Sequence, residues 1–72
     1  MKKYYFTFGQ IHTHSYNGKT LDKDCVVEIS ADSSNEAREK MFGLFGQKWG
    51  LQYDSLEKLH LEFYPKGITK IK

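Results

Sequence analysis

Ser33-Ser34-Asn35-Glu36-Ala37-Arg38-Glu39-Lys40-Met41-Phe42-Gly43-Leu44-Phe45-Gly46 is the segment of this chain that reads most clearly as a helix. Ser33 and Glu36 have capping-box spacing: the serine hydroxyl accepts from the glutamate N–H, and the carboxylate reaches back to the serine N–H. Ala37, Met41, Leu44 and Phe45 then fall on one face, while Glu36 and Lys40 stand four apart outside it. Gly43 weakens the helix by about 1 kcal/mol relative to Ala and lets it lie close on a sheet. Gly46 is a natural stop in left-handed geometry. Arg38 and Phe42 lie to one side of the buried stripe and are expected to point toward a sheet edge.

The segments on either side alternate with the period of strands. Residues 3–8 place Tyr4, Phe6 and Phe8 on one face and Tyr5 and Thr7 on the other; residues 24–30 set Cys25, Val27 and Ile29 against Val26 and Glu28. Beyond the helix, Trp49-Gly50-Leu51-Gln52-Tyr53 reads as a turn or short extended piece. Leu59, Leu61 and Phe63 alternate with His60 and Glu62 as a third strand. Tyr64-Pro65-Lys66-Gly67 reads as a turn and residues 68–72 as a short final strand. The pattern β-β-α-β-(β) predicts a single α+β domain over residues 1–72, a small antiparallel sheet of three to four strands with one helix packed on one face. The helix is expected to cover Tyr4, Phe6, Phe8, Cys25, Val27, Ile29, Leu59, Leu61 and Phe63. The opposite face is expected to show Tyr5, Thr7, Val26, Glu28, His60, Glu62 and Tyr64, a mixed surface that points to a homo-oligomer or a partner.

Composition narrows the function classes. Seventy-two residues make one domain near the lower limit for an independent core, and an aromatic content of 15% raises the buried area per residue. Eleven basic against nine acidic residues give +2, too little for a duplex-DNA stripe and the wrong sign for an acidic DNA mimic. Lys2-Lys3 and Lys66, Lys70 and Lys72 would form one mildly positive edge if the termini lie on neighbouring strands; their plainest role is edge protection. A single cysteine suits a reducing compartment. With no signal-peptide pattern and no membrane-length apolar run, the expected location is the cytoplasm, with no membrane partner.

The stretch Gly9 to Asp24, GQIHTHSYNGKTLDKD, is far longer than a hairpin between the first two strands needs. Long loops on a rigid sheet are where small domains keep their contacts. Its Asn17-Gly18 pair reads as a turn bending the loop back. His12 and His14, two apart, could share a side with Asp22, Asp24 or Cys25 as further ligands, but the repeated tight spacing of zinc sites is missing, so no metal or other cofactor is assigned. Cys25 alternates with Val27 and Ile29 and has no activating neighbours, so it reads as a small buried hydrophobe. No catalytic pattern is present, and the chain reads as a non-enzyme. The set Gln10, His12, His14, Tyr16 and Lys19, joined by Arg38 and Trp49, suits a small anionic ring-bearing ligand by stacking and charge-assisted hydrogen bonds. It suits a protein hot spot equally well. Trp49 has a further reading as a core plug at the helix exit.

Lys3-Tyr4-Tyr5-Phe6-Thr7-Phe8-Gly9, Ala37-Arg38-Glu39-Lys40-Met41-Phe42 and Phe45-Gly46-Gln47-Lys48-Trp49-Gly50-Leu51-Gln52-Tyr53 together resemble a group of short uncharacterised proteins from bacteriophages and prophages of Gram-positive bacteria. The resemblance implies a phage accessory protein and carries no activity with it. The expected function is a binding protein that counters a host defence, with sequestration of a small nucleotide-type signal preferred. The alternative is an anti-CRISPR-like inhibitor that masks a host nuclease or effector protein by direct contact.

Overall fold

The computed structural model describes residues 1–71. The elements are β1 (Lys2–Thr7), β2 (His14–Tyr16), β3 (Lys19–Leu21), β4 (Cys25–Ala31), α1 (Ser34–Phe45), β5 (Gln52–Tyr53), α2 (Leu56–Leu59), a 3-10 turn (Leu61–Phe63) and β6 (Gly67–Ile71). The main sheet has the order β5-β1-β4-β6, and β2 and β3 form a separate hairpin. The α+β class is as expected. The sheet is mixed, not wholly antiparallel: β1 runs antiparallel to β4 and β5, while β6 runs parallel to β4. Parallel neighbours require a long crossover, and everything from α1 to the 3-10 turn serves as that crossover.

The helix begins and ends where the sequence places it. The Ser33 hydroxyl accepts from Glu36 N–H at 3.2 Å, and Gly46, at φ 63°, donates its N–H to the Phe42 carbonyl. The Glu36 carboxylate reaches back to the N–H of Asp32 instead of Ser33, and also lies 3.7 Å from Lys40. Ala37, Met41 and Phe45 are buried, whereas Leu44 is exposed. They pack on Tyr4, Phe6, Phe8, Cys25, Val27 and Ile29, the strand face expected to receive them.

The third strand over Leu59–Phe63 does not form. The chain makes two short helical turns there, broken at His60 by a left-handed backbone (φ 57°). Leu59 is 3% exposed and Phe63 72%, a split that one strand face cannot produce. Nor do Leu59 and Leu61 join the helix side. They pack with Tyr53, Tyr64 and Ile68 on Tyr5 and Val26, closing a second core on the opposite face. Tyr5, Thr7, Val26 and Glu28 are therefore buried rather than displayed, and the surface on which self-association was expected is covered by the chain itself. Burial, followed by the charge of the neighbouring Glu28 carboxylate, raises the Tyr5 phenol above its usual pKa.

From β4 the chain crosses one face as α1, passes the far edge as β5, and returns beneath the other face as residues 54–66 to reach β6. The return is fastened near the start of β4. Lys66 Nζ lies 2.9 Å from Asp22 Oδ2, and Lys66 N–H donates to Asp24 O at 3.0 Å. Lys2 and Lys3 on β1 and Lys70 on β6 flank β4 from opposite sides, so they do not make one basic edge; Lys72 lies outside the described residues. No helix among the described residues is long and apolar enough to cross a membrane.

Leu59→Ala is expected to destabilise the domain by about 2–5 kcal/mol, and Phe63→Ala by less than about 0.5 kcal/mol; equal losses in urea melts would restore the strand. The hydrogen bond from Lys66, followed by that from Asp24 N–H, lowers the Asp22 carboxyl pKa, and Asp22 in turn raises that of Lys66. A lowered carboxyl adds stability above its unfolded value of about 3.9, lost as pH falls through the folded value; the raised lysine adds stability below about 10.4, lost as pH rises through its folded value. Asp22→Asn is therefore expected to lower Tm modestly near pH 7, with the difference from wild type shrinking away as pH falls through the lowered folded value of Asp22. A constant difference across a pH series of melts would show that the ion pair is not the cause.

Candidate functional site

The long 9–24 connection is largely folded. Asn17 (φ 50°) and Gly18 (φ 80°) turn β2 into β3, with His14 opposite Leu21 and Tyr16 opposite Lys19. Positive φ at both central residues is the geometry of a primed hairpin turn, which Asn-Gly favours. Directly opposed residues share a face, so His14, Tyr16, Lys19 and Leu21 lie on one side. Leu21 is fully buried there and Tyr16 packs against the main core.

His14 is a packing residue as much as a polar one. Its ring centroid lies 5.4 Å from that of Phe8 and 4.8 Å from that of Phe45, and its Nε2 is 2.6 Å from the Lys48 carbonyl. The histidine thus pins the hairpin to the turn that follows α1. His14 and Tyr16, two members of the expected contact set, are turned toward the core by period-2 pairing across the hairpin. His12 is half-buried and Gln10 exposed.

Trp49 joins core and surface. Its ring meets Phe6 edge-on, with centroids 5.1 Å apart at 88°, and its Nε1–H donates to Gly46 O at 3.1 Å. The next residue explains its position. Gly50 N–H donates to Thr7 O at 2.6 Å, and a Cβ on Gly50 would come within 3.2 Å of Gly9 N and Thr7 O. Only a residue without a side chain lets this strand lie so close to β1 without displacing it. The outer side of Trp49 faces α1, where the Phe42 ring lies 5.5 Å away, and Arg38, one helical turn before Phe42, lies 6.0 Å from the Phe42 ring and 5.9 Å from that of Trp49. These separations are within cation–π reach.

The seven sequence-selected residues do not form one site. Arg38 and Trp49 adjoin, and His14 meets the same post-helix turn through Lys48. Gln10 lies in a shallow groove with Leu51, Phe63 and Tyr64. Lys19 lines another with Cys25, Lys66 and Thr69. Among the described residues, no cluster of three or more His, Cys, Asp or Glu side chains is arranged to hold a metal ion. Phe42 belongs with Arg38 and Trp49 but was not selected; its four-residue spacing from Arg38 was the available signal.

His14→Ala is expected to lower stability by roughly 1–3 kcal/mol through lost ring packing and the lost bond to Lys48, and His12→Ala by less than about 1 kcal/mol. Thermal melts of the two variants check this, and a tolerant His14 would return the loop to the surface. Comparison with family models, curated proteins and solved structures gives no match for this chain.

Proposed function

We propose that the chain is a non-enzymatic binding protein that acts by occupying a partner protein, with Arg38, Phe42 and Trp49 as the contact ledge. The carrying observation is the stacking of these three side chains on the outer flank of α1, with Phe42 41% exposed. Aromatic residues and arginine dominate protein hot spots, where rigid rings are desolvated at low entropic cost. The ledge is fixed from below by Phe6 and along the chain by the close approach at Gly50, so little ordering remains for binding to supply. The resemblance to phage accessory proteins makes a host defence nuclease or effector the expected partner, masked by direct contact.

Sequestration of a nucleotide-type signal is the second reading, favoured by the cation over the Trp49 ring. Two groups assigned to it are already engaged within the chain: His14 Nε2 with Lys48 and Trp49 Nε1 with Gly46. Of the remaining handles, Gln10 and Lys19 lie in separate grooves and Tyr16 packs against the core. This arrangement favours the protein partner.

The double variant Arg38→Glu with Phe42→Ala is expected to keep the wild-type melting curve within about 1 kcal/mol and to lose a host protein that wild type retains in pull-down. Retention of the same protein by both would remove the ledge. A nucleotide panel is expected to leave Tm unchanged, since a bound ligand at about 100 times its Kd would add ~2.7 kcal/mol. Stabilisation by one nucleotide, lost in the double variant, would favour sequestration.

A further inference from the structure

β5 covers only part of the β1 edge. Thr7 donates its N–H to Leu51 O at 3.0 Å, and Tyr5 stands opposite Tyr53. Along an antiparallel strand, alternate residues send both backbone groups to the same side. Thr7, Tyr5 and Lys3 therefore face the β5 side, whereas Phe6, Tyr4 and Lys2 face β4. β5 ends at Tyr53, and the chain turns away through Asp54 and Ser55 into α2. Lys3 N–H and C=O are left pointing into a solvent-open groove of about 920 Å³, between the 1–5 strand on one wall and Ser34 and residues 54–57 on the other.

We infer that this groove is a strand-addition site for an acidic, extended segment of a partner polypeptide, which would continue the line of β5 along β1. The unpaired edge groups specify an extended backbone. The charges specify its sign. Lys2 and Lys3 are exposed and project to opposite faces of the edge. On the other wall Asp54 is paired with Lys58 at 3.2 Å, leaving Glu57 as the facing carboxylate. Leu56 gives the segment an apolar footing. A second copy of this edge is the wrong occupant, because antiparallel pairing through the Lys3 backbone would set Lys3 opposite Lys3 of the other copy. Lysines that keep like edges apart thereby select an acidic strand. This surface is separate from the Arg38–Phe42–Trp49 ledge and does not depend on its role.

The test is an amide-resolved NMR titration of the whole chain with acetyl-Glu-Val-Glu-Val-Glu-amide and its Lys-for-Glu counterpart. The acidic peptide is expected to shift the Lys3 and Tyr5 amides and those of residues 54–57 saturably, to slow exchange of Lys3 N–H, and to bind at least about tenfold more tightly than the basic one. Lys3→Pro removes both the Lys3 ammonium and an N–H that β4 does not use, a substitution edge strands tolerate, and is expected to weaken binding by at least about tenfold. Lys3→Glu keeps the N–H and is expected to reverse the peptide preference, so the inference remains testable if the proline variant fails to fold. Equal affinity for both peptides, no shift at Lys3, shifts confined to Arg38, Phe42 and Trp49, or unchanged binding by folded Lys3→Pro would each overturn it. So would concentration-dependent pairing of the chain through this edge.

Discussion

The structure depends on one constraint: its two central strands are apolar on both faces. Phe6, Val27 and Ile29 face α1, while Tyr5 and Val26 face away, and all are buried. A single helix can dry only one side of a sheet. The second side must be covered by the same short chain, and that requirement explains the return segment, the parallel placement of β6 and the two small helical turns beneath the sheet. Residues 54–66 cross the second face with apolar side chains aimed upward, and short helical turns point Leu59 and Leu61 there while satisfying part of their own backbone hydrogen bonding.

The proposed contact surfaces arise from the same arrangement. As the chain leaves α1 it runs back along the flank of the helix: Trp49 lies against Phe42, and Gln52 Nε2 donates to Ser34 O at 3.1 Å. Trp49 is thereby held partly in the core and partly out of it. The same run joins the edge as only a two-residue strand, because Asp54 and Ser55 must already turn toward the second face. Covering the underside of the sheet thus leaves part of the β1 edge bare.

Much of this was legible in the sequence. The Ser33 cap, the Gly46 stop and the alternation of β1 and β4 are strong local signals, and each is found where it was read. Two misreadings have physical causes. Leu59, Leu61 and Phe63 satisfy period 2, but Leu56 and Leu59 behind Ser55 also satisfy the three-residue spacing of a helical turn; a segment so short fits both patterns, and the second core decides between them. The outer face was read as exposed from alternation alone, although the unbroken run Cys25-Val26-Val27 is the mark of a strand dry on both sides. In the candidate site, Asn17-Gly18 was legible as a turn, but the inward direction of His14 and Tyr16 follows from pairing with Leu21 and Lys19 across a hairpin that had been read as loop. Arg38 and Trp49 were selected within one set with the loop residues; what sets them against each other is the close approach at Gly50, which no local pattern announces.

The clasp of Asp22 and Asp24 with Lys66 has a consequence for the order of assembly. β1, the β2–β3 hairpin and β4 can pair as soon as they exist, through antiparallel neighbours. β6 cannot: its position beside β4 has no meaning until α1 has crossed above and residues 54–66 have crossed below. The closing step joins segments far apart in the chain, and such contacts are slow because loop-closure entropy is spent before any contact rewards it. The clasp sits where the returning chain first meets β4, so it can set the register of β6 before its strand hydrogen bonds form. The domain would then close from that end.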